Sequence, residues 1–296
     1  MRIIFLLGVY LWLTACSEPQ QSEKMKEFKP LSAEETLSWV EKNIDSVLVK
    51  KEYQAPNGLK MPYRLFSPEL SEKGMPLVVF LHGRGDRGID NDRKVFKNVG
   101  LFMNDQSLVA PNMQHEFPCY VVAPQCSDKT INEEWAKWVG NSPETPFKGL
   151  GKDGSYQMSP QPSESGAAAL SLIDHLIDSL KIDPSRVYLI GLSMGGFGTW
   201  EFTARRPDLF AAAVPMAGFS DPAQIEKIKH IPFWIFHGDA DQSNPVEGSR
   251  TMYQLLKKAG SDVKYTEYEG AGHGPSFKLA FAEPNLIPWM FSKRKS

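Results

Sequence analysis

The sequence predicts an α/β fold: a mostly parallel central sheet flanked by helices, in a single domain. Three observations carry this. From about residue 33 onward, short apolar runs alternate with stretches of helical spacing, the pattern of a parallel sheet covered on both faces. Two runs, Leu77 to Leu81 and Tyr120 to Ala123, are continuously apolar, as strands buried on both sides require. The run Val187-Tyr188-Leu189-Ile190 then leads straight into Gly191-Leu192-Ser193-Met194-Gly195, a corner of small residues between a strand and a helix. With 296 residues, 42% of them hydrophobic, the chain can bury one large core.

The elements follow in order. Pro62 to Ser67 alternates like an early sheet strand. Gly166 to Lys181 places Leu170, Ile173, Ile177 and Leu180 on one helical face. Asp183-Pro184-Ser185 turns the chain into the strand Val187 to Leu192, and the helix after Ser193 runs to about Arg206, where Pro207 stops it. Ala211 to Met216, Phe233 to Phe236 and Val263 to Tyr268 supply three more strands. Phe277 to about Phe291 reads as a closing helix interrupted near Pro284. Ser127 to Pro162 is the one irregular region. Loops this long are usually lids or binding loops. Its Trp135, Trp138, Phe147 and Tyr156 either line a substrate cleft or pack the loop onto the domain, and Trp135, Trp138 and Tyr156 are the candidate substrate contacts.

The two ends of the composition bound the function. Lys and Arg number 33 against 35 Asp and Glu, a net charge of −2, so no basic field exists for nucleic acid. Residues 1–15 carry Arg2 and an apolar stretch from Ile3 to Leu13, too short to span a bilayer as a mature helix, and read as an export signal. Leu13-Thr14-Ala15-Cys16 resembles the lipobox of bacterial lipoproteins, which implies cleavage before a lipidated Cys16 and a membrane-anchored, exported protein. Residues 16–32 then form a polar tether, and 33–296 the folded domain. Cys119 and Cys126 bracket a predicted strand. Seven extended residues span roughly 23 Å, too far for a disulfide, so the two are expected to be buried and unpaired with each other.

A serine hydroxyl is a poor nucleophile without an adjacent base. In elbow-type sites the acid and then the histidine follow the serine along the chain, which removes His82, His115 and His175. His230 lies among Lys227, Lys229 and Pro232 and reads as a surface residue, and His237 ends a strand with the acid candidates after it. His273 in Glu269-Gly270-Ala271-Gly272-His273 remains as the base. The acid is expected to leave the carboxyl end of the strand Phe233 to Phe236, where spacing does not separate Asp239 from Asp241. An oxyanion is expected to find the backbone N–H of Met194 and that of Arg84, in the loop Leu81-His82-Gly83-Arg84-Gly85. His82 is expected to orient that loop. No His-Glu-x-x-His motif and no cysteine cluster calls for a metal, and no cofactor is implied.

The segments Leu81 to Asn91, Ala123-Pro124-Gln125-Cys126 with Trp135, Gly191 to Gly196, His237-Gly238-x-x-Asp241 and Gly272-His273 together resemble the exported "predicted peptidase" branch of the α/β-hydrolases. That branch is similar to polyhydroxybutyrate depolymerases and to feruloyl or acetyl xylan esterases. The resemblance covers about residues 45 to 292. It implies an α/β-hydrolase fold, puts the acid at Asp241 through the His-Gly-x-x-Asp motif, and implies a serine carboxylesterase acting on a small or carbohydrate-linked ester. Prolyl oligopeptidases, the source of the peptidase label, carry a gating propeller for which this sequence has no segment, so ester cleavage is favoured over peptide cleavage. A secreted peptidase, a lipase or depolymerase, and an inactive binding lipoprotein on the same fold are the alternatives.

Overall fold

The computed structural model describes residues 28–69, 73–92, 101–128, 138–140 and 157–295. The export signal, Cys16, Trp135, Phe147 and Tyr156 lie outside the described residues. The chain divides after Pro30, and Leu31–Ser296 is one unit that holds every element below.

Ser32 opens the first helix. Its hydroxyl accepts from the Glu35 N–H while the Glu35 carboxylate accepts from the Ser32 N–H. This reciprocal cap satisfies two backbone donors and starts α1 (Ala33–Val47). β1 (Val49–Gln54) and β2 (Lys60–Phe66) pair antiparallel. After them come β3 (Leu77–Leu81), α2 (Pro111–Glu116), β4 (Tyr120–Pro124) and α3 (Glu164–Leu180). The second half contains β5 (Val187–Leu192), α4 (Met194–Arg205), β6 (Ala212–Met216), α5 (Ile225–Ile228) and β7 (Phe233–Gly238). It ends with α6 (Val246–Lys258), β8 (Val263–Tyr268), α7 (His273–Phe281) and α8 (Leu286–Phe291), so the predicted closing helix is two helices with Pro284 between them.

The eight strands form one sheet in the order β1-β2-β4-β3-β5-β6-β7-β8. β2 meets β4 antiparallel, and each neighbouring pair from β4 to β8 is parallel. Successive side chains of a strand point to opposite faces, and β3 shows the consequence. Leu77, Val79 and Leu81 join Leu172 and Ile173 of α3, Trp200 of α4 and Met252 of α6 in one buried cluster. Val78 and Phe80 join Val40 and Ile44 of α1 and Met290 of α8 in the other.

β2 departs from its sequence pattern. Its alternation predicts one solvated face, yet every residue from Met61 to Phe66 is buried. Arg64 can be buried because its guanidinium is partnered: Nε donates to the Asn91 carbonyl at 3.0 Å, and Nη1 donates to the Leu48 carbonyl at 2.8 Å and lies 3.8 Å from the Asp45 carboxylate. Cys119 and Cys126 flank β4, both buried and both free thiols. The six parallel strands deliver their carboxyl ends to one edge of the sheet, where ligands of open α/β sheets bind. Ser193, Asp241 and His273 all follow such ends.

Candidate active site

Ser193 is the residue between β5 and α4, and it holds φ 53° and ψ −120°. A non-glycine residue there costs on the order of 1–3 kcal/mol, which persists only where its surroundings enforce it. Two close approaches enforce it here. A Cβ on Gly195 would overlap the carbonyl oxygen of Leu81, and one on Gly191 would overlap that of Gly195. The helix therefore starts directly against β3 and β5. The Ser193 N–H is fixed as well, donating to the Met216 carbonyl at 2.9 Å.

His273 is the first residue of α7. Its Nε2 lies 2.9 Å from Ser193 Oγ and its Nδ1 2.6 Å from Asp241 Oδ2. The Phe277 ring stands edge to face against the imidazole, with centroids 4.8 Å apart, and the Ser276 hydroxyl donates to the His273 carbonyl. The Asp241 side chain is fully buried. Burial acts to raise its pKa, but hydrogen bonds from His237, His273 and the Asn244 N–H outweigh it and hold the carboxyl well below the usual carboxylate range. Its Oδ1 also accepts from the Ser243 N–H at 2.7 Å. An ionised Asp241 makes His273 Nδ1 the donor and leaves Nε2 to accept the Ser193 hydroxyl proton. The arrangement can therefore pass a proton from hydroxyl to imidazole while a buried carboxylate faces the charge that forms.

Asp239 does something else. It is exposed, and its Oδ1 accepts from the N–H of Gly270, the turn residue at φ 69° that precedes His273. Asp239 braces the histidine loop without approaching the imidazole nitrogens. His230 is exposed, with Nε2 at 2.9 Å from the Pro207 carbonyl.

The model of the dienelactone hydrolase family matches residues 156–283. A crystal structure of a thermostable esterase superposes with a TM-score of 0.69 at 34% identity, over 84% of this chain and 64% of that one. The chain has the α/β-hydrolase fold. The chain is also similar to carboxylesterase SOBER1 of Arabidopsis thaliana, 27% identical over 213 residues that make up 68% of the chain and 84% of that protein. It is similar as well to an endo-1,4-beta-xylanase/feruloyl esterase of Xylanibacter ruminicola, 35% identical over 109 residues, 34% of the chain. The chain spans less than two thirds of the thermostable esterase and only 15% of the xylanase/feruloyl esterase.

The glycine loop lies beside the serine: a Cβ on Gly83 would stand 3.8 Å from that of Ser193. Arg84 starts a 3-10 turn (Arg84–Asp86) and Met194 starts α4, so the N–H of each lacks a partner within its own helix. His82 holds the loop. Its Nε2 accepts from the Cys126 N–H at 2.9 Å, so Nδ1 carries the proton and donates to the Gly83 carbonyl at 2.7 Å. Trp138 is placed differently from a substrate contact. It is fully buried, its indole N–H donates to the His82 carbonyl, and its ring packs edge-on against Phe202 and His82. Burying the indole under the glycine loop satisfies its N–H, and a rim position would leave that bond to water.

Sequence reasoning named the segments that carry three further contributors but gave those residues no role in the site. Gln125 accepts from the Asn91 N–H at 2.7 Å and donates to the Asp90 carboxylate at 2.9 Å, tying the far end of the glycine loop to β4. Asn91, at φ 52°, donates to the Lys51 and Tyr63 carbonyls. His237 contacts Asp241 itself. The i,i+4 spacing of His237 and Asp241 was the available signal for that last contact.

Proposed function

We propose that this chain is a serine carboxylesterase whose nucleophile, base and acid are Ser193, His273 and Asp241. The observation that carries the reading is the unbroken hydrogen-bond chain from the Ser193 hydroxyl through His273 to a buried, ionised Asp241. Ser193 Oγ attacks the ester carbonyl as His273 Nε2 takes its proton. The Met194 and Arg84 N–H groups receive the oxyanion, which is where preorganised donors contribute most. The imidazolium then gives its proton to the departing alcohol, leaving an acyl ester on Ser193. Water deacylates it with His273 again as base, regenerating the hydroxyl and releasing the acid.

The substrate class proposed is a small aryl or carbohydrate-linked ester, of feruloyl or acetyl type. The likeness to esterases, one of which is joined to a xylanase, supports this reading. The N-terminal sequence supports an exported protein held at a membrane by a lipid on Cys16. Radiolabelled palmitate incorporated into the natural chain and lost in Cys16→Ala would meet that expectation, and equal labelling of both would contradict it.

The test is hydrolysis of methyl ferulate, acetylated xylan, short nitrophenyl esters and peptide amides, side by side, by the natural chain and Ser193→Ala. The reading predicts ester turnover that exceeds amide turnover and falls at least about a thousandfold in the variant. Undiminished ester hydrolysis by a folded Ser193→Ala protein would refute it, and faster cleavage of amides would favour a peptidase.

A further inference from the structure

His237 is a fully buried histidine at the end of β7, and the mechanism above does not use it. Its Nε2 lies 3.2 Å from Asp241 Oδ2 and 3.3 Å from the Asn244 carbonyl oxygen. Both neighbours only accept, so this nitrogen carries a proton. Its Nδ1 lies 2.7 Å from Ser249 Oγ on α6. That hydroxyl has one other partner, the Gly218 carbonyl at 3.2 Å, which already accepts the Trp200 indole N–H at 3.0 Å. The shorter contact and the cost of burying an imidazolium both direct the hydroxyl proton to Nδ1. His237 therefore presents an Nε2–H to Asp241, with Ser249 bonded to its other nitrogen.

Asp241 Oδ2 therefore receives two imidazole N–H groups, from His273 at 2.6 Å and from His237 at 3.2 Å. Oδ1 receives the Ser243 and Asn244 N–H groups. A carboxylate with four donors cannot rotate, and the negative charge on Oδ2 is divided between two rings.

We propose that His237 is a positioning residue for the Asp241–His273 pair, which locks the carboxylate and weakens its pull on the His273 proton through its Nε2–H. The proposal rests on the esterase reading above. The charged and titratable groups around His237 fit it. Asp241 and Ser249 are its direct partners, and His273 of α7 shares its carboxylate. Glu267 is its register partner on β8, and its charge is already taken up by Arg250 of α6 and by Tyr265.

The consequence is directional. Removing the second donor concentrates charge on Oδ2, so the imidazolium of His273 is held more strongly and the acidic limb of kcat/KM moves to higher pH. His237→Leu is expected to move that limb up by about half a pH unit or more and to lower kcat about tenfold, with KM changed less. His237→Gln can still present an N–H to Asp241, and is expected to keep the limb and to stay within about threefold of natural kcat.

The experiment measures kcat/KM against pH with a nitrophenyl ester for the natural chain, His237→Leu, His237→Gln and His237→Met. Alongside it, the low-field proton NMR resonance of the His273 Nδ1–H is followed, which needs no turnover. The proposal expects this resonance to move downfield in His237→Leu and to stay in place in His237→Gln. A folded His237→Leu protein with natural limb and natural resonance would overturn it, and so would a His237→Gln protein as impaired as His237→Leu. Should His237→Leu fail to fold, His237→Met decides, because it also lacks an N–H toward Asp241 and predicts the same upward limb and downfield shift, and no change refutes it. Ester hydrolysis retained by Ser193→Ala would instead bring down the esterase reading, leaving the resonance to judge His237 alone.

Discussion

At the scale of the residue, Asp239 and Asp241 stand two positions apart and do different jobs. Asp241 is buried and bonds the imidazole, whereas Asp239 is exposed and braces Gly270. Asp241→Asn is expected to lower kcat roughly 10³–10⁴-fold, because an amide does not hold the imidazole tautomer. Asp239→Asn is expected to cost only a few-fold. Steady-state kinetics on the two folded variants separates them. Spacing could not choose between these aspartates because the deciding quantity is side-chain direction out of a turn, which a two-residue offset leaves open. Chain order, by contrast, isolated His273 without any geometry. Glu201 is a second residue whose surroundings decide its effect. Its side chain is wholly buried on α4, pairs with Arg205 at 2.6 Å and accepts from the Gly140 N–H. Arg205→Ala would leave that carboxylate buried beside its lost partner, and a loss of about 3–5 kcal/mol in denaturant unfolding is expected.

At the scale of the element, legibility followed burial. β5 reads from the sequence at its observed bounds because every one of its residues is buried. β1 was not legible. Apart from Tyr53 its residues are exposed, and Lys50, Lys51 and Glu52 at a sheet edge carry no apolar pattern to detect. β2 was detected but misjudged, since a buried Arg64 imitates a solvated position. The corner between β5 and α4 depends on backbone approach, so Gly195→Ala must push a methyl into the Leu81 carbonyl. Neither backbone can yield, and a loss of about 3 kcal/mol or more is expected, seen as a lower melting temperature. The glycine loop is held from β4 by Gln125. Gln125→Leu is expected to lower kcat about 10–100-fold with the fold intact, since misplacing the Arg84 N–H by an ångström is enough. Unchanged kcat would show that the loop holds its place without that side chain.

At the scale of the whole molecule, the sheet brings together the carboxyl ends of strands far apart in sequence, and the same packing sets the pH range of stability. Among the described residues three carboxylates are held below their ordinary range: Asp241, Glu267, where a hydrogen bond from Arg250 does most of it, and Asp183. In Asp183 burial acts to raise the pKa, and bonds from Ser185 and Arg186 outweigh it and bring it to about 2. A carboxyl with a depressed folded pKa binds fewer protons folded than unfolded. Its contribution is complete above about pH 4, the unfolded value, and is lost as pH falls through the folded value. The melting temperature is therefore expected to hold from neutral pH to near 4 and to fall steadily below it, less steeply in Asp183→Asn. The central claim, that Ser193 is a nucleophile activated by His273, has a more direct measurement in the intact mass after exposure to a fluorophosphonate. One phosphonyl adduct is predicted, located at Ser193, absent from Ser193→Ala and much slower to form in His273→Ala. A natural chain that stays unmodified, or an adduct that persists in Ser193→Ala, would contradict the account.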